Sequence, residues 1–381
     1  MLAGLELGAT AAPLDVLLKP DERAVVVEHL KPALLIDEAG IGPRRPGSAR
    51  AAAPIVLYTS GSTGVPKGAL LSHAALLFAN RSWAGPVMGL CPDDAVLAVL
   101  PLAHSFGLNA GLFAPLLTGA RVVLLERFVP ERVAELLDAG ELTVLPGVAT
   151  MFRRLLDLRK LGRGRLRLAV AGAAPCPSAL AREWRERTGA RIVRGYGSTE
   201  LFRPISYRAD EEEAAELEDA VGRALPGVEL RIVDGELLIK TPAAMDGYLD
   251  AADETFAVMK DGWFQTGDLA SLDARGFVTI NGRKHERILR GGYSVIPAEV
   301  EAVLAAHTAV LEAAVVAIPH PELGEDVAAF VALRPGASVD PSELVEYCRQ
   351  RLAAFKYPRR VTIVAALPRS AAGKVQKFQL R

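Results

Sequence analysis

Short apolar runs alternate with amphipathic segments along much of the chain. The apolar runs have the length of buried strands, and the segments between them repeat apolar residues at helical spacing. The predicted strands lie within 55–60, 94–102, 120–126, 142–147, 165–172 and 190–197, and the predicted helices within 70–84, 130–140, 149–160 and 177–189. This alternation predicts an α/β fold with a largely parallel sheet, in which ligands bind beyond the carboxyl ends of the strands.

The two ends of the chain have different patterns. Residues 22–37 predict a helix that runs into a buried strand, and residues 43–54 predict a surface linker. After about Val221 the pattern becomes β-rich, with a hairpin predicted around Asp234-Gly235. Residues 276–283 predict another strand pair. A compact α+β unit follows, with predicted helices within 297–307 and 340–352 and predicted strands within 310–320, 326–333 and 359–367.

The predicted fold class is therefore α/β, with two domains. Residues 1–283 form a large N-terminal α/β domain of mostly parallel sheets plus a small β subdomain. Residues 286–381 form a C-terminal α+β domain.

Composition and charge exclude several classes of protein. The 44 basic and 45 acidic residues give a net charge of −1, which offers no electrostatic case for nucleic acid or an anionic membrane as partner. The three cysteines form no CxxC pair, so neither a zinc site nor a disulfide framework is indicated. The N-terminus lacks the features of a signal peptide, and no apolar run reaches the roughly 18 residues of a membrane span. We expect a soluble, cytoplasmic protein.

A glycine-rich loop, TSGSTGVPKG at 59–68, is the strongest chemical signal. Its glycines allow a tight turn with backbone N–H groups pointing inward, its hydroxyls add donors, and Lys67 adds a positive charge. Such a loop fits a polyphosphate. It differs from the GxxxxGK[ST] P-loop, because Pro66 precedes the lysine and Gly68 follows it.

Two further motifs place a carboxylate in a turn. GYGSTE at 195–200 ends on Glu200, which could hold a Mg²⁺ ion that bridges ATP phosphates, and its Tyr196 offers a stacking face for adenine. GWFQTGDLA at 262–270 contains Asp268, which could accept hydrogen bonds from ribose hydroxyls. Each motif alone is also compatible with an ordinary turn, because turns favour Gly and Asp.

Basic and glycine residues recur near the C-terminus. Arg283 can reach ribose or phosphate, and Gly291-Gly292 permit close approach of the backbone to a ligand. Lys374 lies in the stretch PRSAAGKVQKFQLR, where a lone lysine would ordinarily be a solvated residue.

The five motifs, in this order, resemble the acyl-adenylate-forming (AMP-binding) superfamily of acyl-CoA synthetases, peptide-synthetase adenylation domains and firefly luciferases. The resemblance runs from about Gly4 to Arg381. PLAHSFGLN at 101–109 and GKVQKFQLR at 373–381 look most like the acyl- and aryl-CoA ligase branch.

The resemblance implies a set of ligand-binding residues. The nucleotide-binding residues would be Thr59, Ser60, Gly61, Ser62, Thr63, Gly64 and Lys67 at the β- and γ-phosphates, Gly172, Ala173, Ala174, Tyr196 and Gly197 at the adenine, Thr199 at the α-phosphate, and Asp268 with Arg283 at the ribose. Glu200 would hold Mg²⁺, and Lys374 would be catalytic in adenylation. The loop that starts with Gly291 and Gly292 would line the tunnel for the thiol of coenzyme A.

The resemblance also implies an acyl pocket and a hinge. His104 matches a catalytic or gating position of the acyl pocket, and Phe106, Gly107, Gly195 and Gly197 match its walls; a buried histidine bonded to backbone is the alternative for His104. Arg203 either pairs with a second carboxylate on the substrate or is an ordinary surface or structural arginine. The C-terminal domain would rotate between two half-reactions about His285, where the family usually has Asp or Lys.

The leading prediction is an AMP-forming carboxylate–CoA ligase. It would activate a fatty or aromatic acid with ATP and Mg²⁺, release pyrophosphate and transfer the acyl group to coenzyme A. One alternative is a ligase that loads the phosphopantetheine of an acyl carrier protein, and another is a truncated relative that binds nucleotide without turnover.

The segment before the glycine-rich loop carries a structural expectation. Only 57 residues precede Tyr58, fewer than in most members of the superfamily. We expect a sheet with missing strands, whose exposed apolar face a homodimer or a partner chain would cover.

Overall fold

A computed structural model describes most of the chain in two compact units. The described residues are 1–6, 8–16, 18–37, 40–42, 53–59, 66–158, 160–162, 164–210, 220–291, 293–369 and 375–380. The first unit comprises Met1–Arg231, Leu238–Gln265 and Asp273–Val278, and the second comprises Ile232–Leu237, Thr266–Leu272 and Thr279–Arg381. The domain boundary predicted near residues 283–286 stays a prediction.

The elements are numbered in chain order. The α-helices are α1 (Leu2–Glu6), α2 (Pro20–Leu30), α3 (His73–Ser82), α4 (Ser105–Leu108), α5 (Ala114–Thr118), α6 (Pro130–Asp138), α7 (Ala149–Leu156), α8 (Ser178–Thr188), α9 (Ala252–Val258), α10 (Pro297–Ala305) and α11 (Pro341–Arg349). Two π-helical segments, Trp83–Val87 and Asn109–Phe113, and two 3₁₀ turns, Lys284–Glu286 and Lys377–Leu380, add to these.

The strands of the first half are β1 (Ile36–Asp37), β2 (Gly40–Ile41), β3 (Ile55–Thr59), β4 (Lys67–Leu71), β5 (Ala95–Ala98), β6 (Arg121–Leu124), β7 (Val144–Gly147), β8 (Leu168–Ala171), β9 (Arg191–Val193), β10 (Gly195–Ser198) and β11 (Phe202–Ser206). Those of the second half are β12 (Ala220–Ala224), β13 (Glu229–Val233), β14 (Glu236–Lys240), β15 (Gly247–Tyr248), β16 (Met259–Lys260), β17 (Trp263–Leu272), β18 (Phe277–Arg283), β19 (Ile288–Arg290), β20 (Tyr293–Val295), β21 (Val310–His320), β22 (Gly324–Leu333) and β23 (Arg360–Val364).

A parallel sheet organises the first unit, as the alternating pattern predicts. Its strand order is β6-β5-β7-β8-β9, and all of its pairs are parallel. Strands β5, β7 and β8 are buried along their whole length, which explains their continuous apolar sequences. Helices α6, α7 and α8 pack apolar residues into a core that includes Phe152 and Trp184.

The glycine-rich loop connects two strands, and the helix predicted from Leu70 is wrong at its start. Strand β3 pairs antiparallel with β4 from Ile55↔Leu71 to Thr59↔Lys67, and β4 also pairs with β15. The apolar residues after Gly68 therefore belong to a strand, in which Ala69 and Leu71 are buried. Helix α3 begins only after Ser72, whose hydroxyl accepts a hydrogen bond from the N–H of Ala75.

The apolar run at 190–197 is two strands in two sheets. Residues Arg191–Val193 form the edge strand β9 of the parallel sheet. Residues Gly195–Ser198 form β10, which pairs antiparallel with β11 and contains a register shift between Tyr196 and Ser198. The chain thus leaves the parallel sheet where the GYGSTE motif begins.

The buried strand predicted at the end of residues 22–37 is wrong. The predicted helix is present as α2, but Ile36 in the two-residue strand β1 is 64% exposed. Within the described part of the chain, β1 belongs to a two-stranded sheet with β2 and not to a larger sheet. The predicted linker lies mostly outside the described residues, and its last residues, Ala53 and Pro54, are buried.

The predicted hairpin around Asp234 is confirmed. Strands β13 and β14 flank Asp234 and Gly235, which both have positive φ, as a type I′ turn requires. Residues 277–283 form the single strand β18, so the strand pair predicted there is wrong.

The second unit contains a five-stranded sheet. Its order is β20-β19-β22-β21, with β23 parallel to β22. Helices α10 and α11 lie where the sequence predicts them, and Val300, Leu304 and Leu344 join the core of the unit. Among all described residues, no helix has the length and apolar character needed to cross a membrane.

Candidate active site

The glycine-rich loop and the GYGSTE motif meet at Tyr248. The Nζ of Lys67, at the start of β4, lies 5.4 Å from the centre of the Tyr248 ring. The hydroxyl of Tyr248 donates a 2.9 Å hydrogen bond to Oε1 of Glu200. Burial and the neighbouring charge of Glu200 raise the pKa of Tyr248 above its ordinary value, so the phenol stays a hydrogen-bond donor. A cation and a carboxylate from separate motifs thus both contact the side chain of Tyr248.

The turn that carries Thr199 and Glu200 is tightly built. It joins β10 to β11, and Phe202 at its end has a φ of 56°. A Cβ atom on Gly197 would lie 1.7 Å from the carbonyl oxygen of Phe202, so only glycine fits there. The carbonyl of Glu200 accepts a 2.8 Å hydrogen bond from the N–H of Met245. These constraints fix the backbone from which the Glu200 carboxylate projects.

The segment Gly172–Ala174 follows the carboxyl end of β8. Gly172 is buried, whereas Ala173 and Ala174 are exposed. Ala173 has a φ of 63°, a left-handed conformation that an alanine adopts at a cost. A Cβ on Gly172 would lie 2.9 Å from the ring of Phe106, so the predicted adenine segment and the predicted acyl pocket share a wall.

Arg203 lies inside this wall, so the suggestion that it is a surface residue is wrong. Its guanidinium donates to the carbonyl oxygens of Ala171 at 2.7 Å and Val193 at 3.2 Å, and to the hydroxyl of Ser206 at 2.9 Å. Its charge also lies 5.0 Å from the ring of Trp83. Among the described residues no carboxylate pairs with it, and burial lowers its pKa to about 9.

Arg203 and its neighbours bring several predicted pocket residues together. Trp83 stacks on Phe106 with ring centres 5.5 Å apart. A Cβ on Gly195 would lie 2.3 Å from Nε of Arg203, and one on Gly107 would lie 2.2 Å from the carbonyl oxygen of Pro101. Close packing therefore requires glycine at both positions.

His104 has a carboxylate partner that the sequence did not indicate. Its Nε2 lies 3.2 Å from Oδ2 of Asp15, whose side chain is only 7% exposed. His104 itself is half-buried and immediately precedes helix α4. The alternative of a buried histidine held by backbone is not what the structure shows.

The predicted ribose residues pair with each other in the second unit. Nε of Arg283 lies 2.7 Å from Oδ1 of Asp268, which is buried. The hydroxyl of Thr266 accepts a hydrogen bond from the N–H of Asp268 and donates to the carbonyl of Leu237. Gly267 between them has a φ of 69°, but the TGD sequence lies within strand β17, so the turn predicted around Asp268 is wrong.

Several predicted residues lie outside the described part of the chain. They are Ser60, Gly61, Ser62, Thr63, Gly64, Gly292 and Lys374. The flanking residues Thr59 and Lys67 pair with each other at the loop end of the β3–β4 hairpin. Gly291 is described, with a φ of 55°. His285 lies in the 3₁₀ turn Lys284–Glu286.

The chemistry of Glu200 fits a Mg²⁺ ion. Its Oε1 accepts from Tyr248, and Oε2 has no hydrogen-bond partner among the described residues. The described residues contain no group of three or more His, Cys, Asp or Glu side chains that could form a complete metal site. A single carboxylate with substrate phosphates is a common arrangement for Mg²⁺ in proteins.

Tyr248 and Asp15 are the functional candidates that sequence reasoning missed. Tyr248 follows a glycine in a two-residue strand, and Asp15 lies in an irregular segment before α2. Both act through partners that are remote in sequence, so no local motif marks them.

Two family models match the chain. The AMP-binding enzyme model matches residues 37–249, and the AMP-binding enzyme C-terminal domain model matches residues 299–374.

Individual relatives give the same result. The chain is 40% identical, over its whole length and 78% of the relative, to the 3-[(3aS,4S,7aS)-7a-methyl-1,5-dioxo-octahydro-1H-inden-4-yl]propanoyl:CoA ligase of Mycobacterium tuberculosis. It is 38% identical to the ligase of the same name from Rhodococcus jostii, over 86% of this chain and 64% of that one. Among solved structures, o-succinylbenzoate coenzyme A synthetase from Bacillus subtilis, in complex with ATP and magnesium ion, is 30% identical. It matches 100% of this chain and 84% of its own, with a TM-score of 0.87.

The chain therefore belongs to the AMP-binding enzyme family. It is an AMP-forming acid–thiol ligase of the acyl-CoA synthetase branch, which confirms the class and the α/β fold predicted from the sequence. ATP and coenzyme A are the co-substrates of this class.

Proposed function

We propose that this chain converts a fatty or aromatic carboxylic acid into an acyl-adenylate with ATP and then transfers the acyl group to the thiol of coenzyme A. The observation that carries the proposal is the grouping of Lys67, Tyr248 and Glu200. A cation from the glycine-rich loop and a carboxylate suited to Mg²⁺ both contact the side chain of Tyr248, which supports binding of a metal–polyphosphate by these residues.

Each residue has a proposed task in adenylation. The glycine-rich loop at 59–68, with Lys67, would hold the β- and γ-phosphates. Glu200 would hold Mg²⁺, which when bound offsets negative charge on the phosphates. Asp268 and Arg283 would bind the ribose. The substrate carboxylate would then attack the α-phosphate and displace pyrophosphate, as the bond from the α-phosphorus to the oxygen that bridges to the β-phosphate breaks. Lys374 would stabilise the charge on the reacting oxygens.

The proposed acyl site lies around the wall formed by Gly172, Phe106 and Gly195. Phe106, with buried Trp83 stacked on its ring, would give the site an aromatic side, which suits an aromatic or long aliphatic acid. His104, whose Nε2 lies 3.2 Å from Oδ2 of Asp15, would border the same site. The ligases of Mycobacterium tuberculosis and Rhodococcus jostii are named for a fused-ring propanoyl group, so fused-ring propanoic acids belong in the first set of substrates to test.

Release of pyrophosphate measures the first half-reaction. We expect one class among fatty, aromatic and fused-ring acids to support pyrophosphate release with Mg²⁺ and ATP, and coenzyme A to yield a thioester that mass spectrometry identifies. Transfer only to the phosphopantetheine of a carrier protein would favour the carrier-protein alternative. Binding of ATP with no pyrophosphate from any acid would favour the non-catalytic alternative.

A substitution at Lys374 distinguishes adenylation from thioester formation. We expect Lys374→Ala to lower the rate of adenylation by about a hundredfold or more, since one electrostatic contact to the transition state is lost. Thioester formation from a supplied acyl-adenylate should change little. Arg132→Ala, which alters an exposed ion pair with Glu135, serves as control. Equal loss in both steps would contradict the role proposed for Lys374.

A further inference from the structure

Tyr248 contacts the two charged groups of the proposed phosphate site through different parts of its side chain. Its hydroxyl bonds Oε1 of Glu200 at 2.9 Å, and its ring lies 5.4 Å from the Nζ of Lys67. Among the described residues, neither Lys67 nor Glu200 forms an ion pair. The lysine charge and one carboxylate oxygen thus remain available for a ligand.

We propose that Tyr248 is a positioning residue that orients the Glu200 carboxylate toward Mg²⁺ and holds Lys67 beside the phosphate loop. This inference rests on the proposed function, because that function supplies ATP and Mg²⁺ as the ligands. In this role Tyr248 acts through Glu200 and Lys67, and not by direct contact with either ligand.

The backbone around Tyr248 is anchored to the same strand that carries Lys67. Strand β15 pairs with β4 through Tyr248↔Ala69, and the N–H of Leu249 donates a 2.7 Å hydrogen bond to the carbonyl of Gly68. The N–H of Tyr248 donates to the hydroxyl of Thr255 at 2.8 Å. The phenol is therefore held in fixed register with Lys67.

The same segment is also anchored to the turn of Glu200. Met245, three residues before Tyr248, donates its N–H to the carbonyl of Glu200 at 2.8 Å. Backbone and side chain of Glu200 are thus both held by residues 245–248. A carboxylate fixed by one oxygen loses less conformational freedom on binding a metal with the other, which is the benefit of preorganisation.

Tyr248→Phe tests the hydrogen bond while keeping the ring beneath Lys67. Calorimetry would measure the dissociation constant of ATP with Mg²⁺ and with EDTA. We expect the affinity for ATP with Mg²⁺ to fall about tenfold, the scale of one hydrogen bond to a charged group. The affinity in EDTA should stay within about twofold, because without the metal Glu200 has no ligand to orient.

Two comparisons make this test specific. Tyr58→Phe removes another tyrosine hydroxyl of the same sheet, one that bonds Nδ1 of His29 at 2.9 Å, and should leave both affinities unchanged. In a Glu200→Gln background, Tyr248→Phe should have no further effect on the Mg²⁺ dependence, because the two residues act as one unit.

Equal binding of ATP with Mg²⁺ by Tyr248→Phe and the unsubstituted protein would overturn the proposal. So would equal losses with Mg²⁺ and with EDTA, because the effect would then not pass through Glu200. Failure of the proposed function has a different signature. In that case no acid supports pyrophosphate release, while the Mg²⁺-dependent binding defect of Tyr248→Phe is still present.

Discussion

A charged side chain in the interior needs partners, and Arg203 finds them in the backbone. Its three nitrogens bond two carbonyl oxygens and one hydroxyl. The carbonyls belong to Ala171 and Val193, the last residues of β8 and β9. Because the predicted adenine residues come directly after these strand ends, Arg203 ties together the two segments that border the site.

We expect Arg203→Lys to destabilise the protein by at least about 2 kcal/mol. A lysine keeps the charge but cannot reach three separated acceptors, so buried carbonyl groups lose their donors. Chemical denaturation followed by circular dichroism measures the change. Arg132→Lys, in an exposed pair with Glu135, should change stability by less than about 0.5 kcal/mol. A stable Arg203→Lys variant would show that these bonds contribute little.

Sequence reasoning could propose candidate site residues where they stand inside compact motifs. Glu200 and Asp268 were identified because glycine and hydroxyl residues surround them within a few positions. Tyr248 and Asp15 were not, since each is defined by a contact with a residue in another segment. The environment of Arg203 was equally unreadable, because a charged residue gives no local signal of burial.

At the scale of elements, the clearest difference concerns the residues after the glycine-rich loop. The segment Lys67–Leu71 has too few apolar residues for its periodicity to distinguish a strand from the first turn of a helix. Pairing of β4 with both β3 and β15 decides in favour of the strand. That pairing depends on Gly247 and Tyr248, which lie far along the chain.

The C-terminal 3₁₀ turn Lys377–Leu380 is held by an ionic cluster. Nζ of Lys377 lies 2.7 Å from Oε2 of Glu286 and 2.9 Å from Oε1 of Glu301. Burial opposes the charge of Lys377, but Glu301 and Glu286 outweigh it and raise its pKa. The cluster fixes the chain three residues after Lys374, the proposed catalytic lysine.

We expect Lys377→Met to weaken this anchor, since it leaves two partly buried carboxylates without their cation. Amide hydrogen exchange in residues 375–380 should become at least about tenfold faster. Arg349→Met, which removes an exposed ion pair with Glu346, should leave exchange in 375–380 unchanged. Unaltered exchange in Lys377→Met would contradict the anchoring role.

The pH dependence of the anchor follows from the sign of the shift. A lysine whose folded pKa is raised stabilises the fold fully below its unfolded value of about 10.5 and loses this contribution as the pH rises through the folded value. Exchange in the unsubstituted protein should therefore approach that of Lys377→Met only above about pH 10.5, after correction for intrinsic exchange rates.

At the scale of the whole molecule, the carboxyl and amino ends of the strands in the parallel sheet have different roles. The carboxyl ends of β8 and β9 lead into the predicted adenine residues, as expected for an open α/β sheet. The strands themselves were predictable because buried parallel strands are continuous apolar runs. The departure of the chain into a second sheet after Val193 was not, because the apolar run at 190–197 continues across the break.

At the amino ends of the strands, Asp94 immediately precedes β5 and links neighbouring strands. Its Oδ1 accepts from Thr143 at 2.6 Å and from Nε of Arg167 at 2.9 Å, and its Oδ2 accepts from Nη2 of Arg167 at 2.6 Å. Thr143 and Arg167 immediately precede β7 and β8, so one buried carboxylate connects the starts of three adjacent strands.

This arrangement predicts a specific response to acid. Burial alone would raise the pKa of Asp94, but the hydrogen bonds from Arg167 and Thr143 lower it to about 2. A carboxylate with a depressed folded pKa contributes its full stability above the unfolded value of 3.8 and loses it as the pH falls through about 2. The shift corresponds to roughly 2 kcal/mol at neutral pH.

We expect Asp94→Asn to lower the melting temperature by about 4–8 °C at pH 7, because the amide cannot accept all of these bonds from a charged partner. The difference from the unsubstituted protein should shrink as the pH falls from 3.8, where Asp94 of the unfolded chain takes up a proton, to about 2, where Asp94 of the folded protein does so. Asp93→Asn, at the exposed neighbouring position, should leave the melting temperature unchanged. If the deficit of Asp94→Asn were independent of pH down to about 2, the lost hydrogen-bond geometry and not the charge would account for it. The charge of the carboxylate would then not be what stabilises the amino ends of these strands.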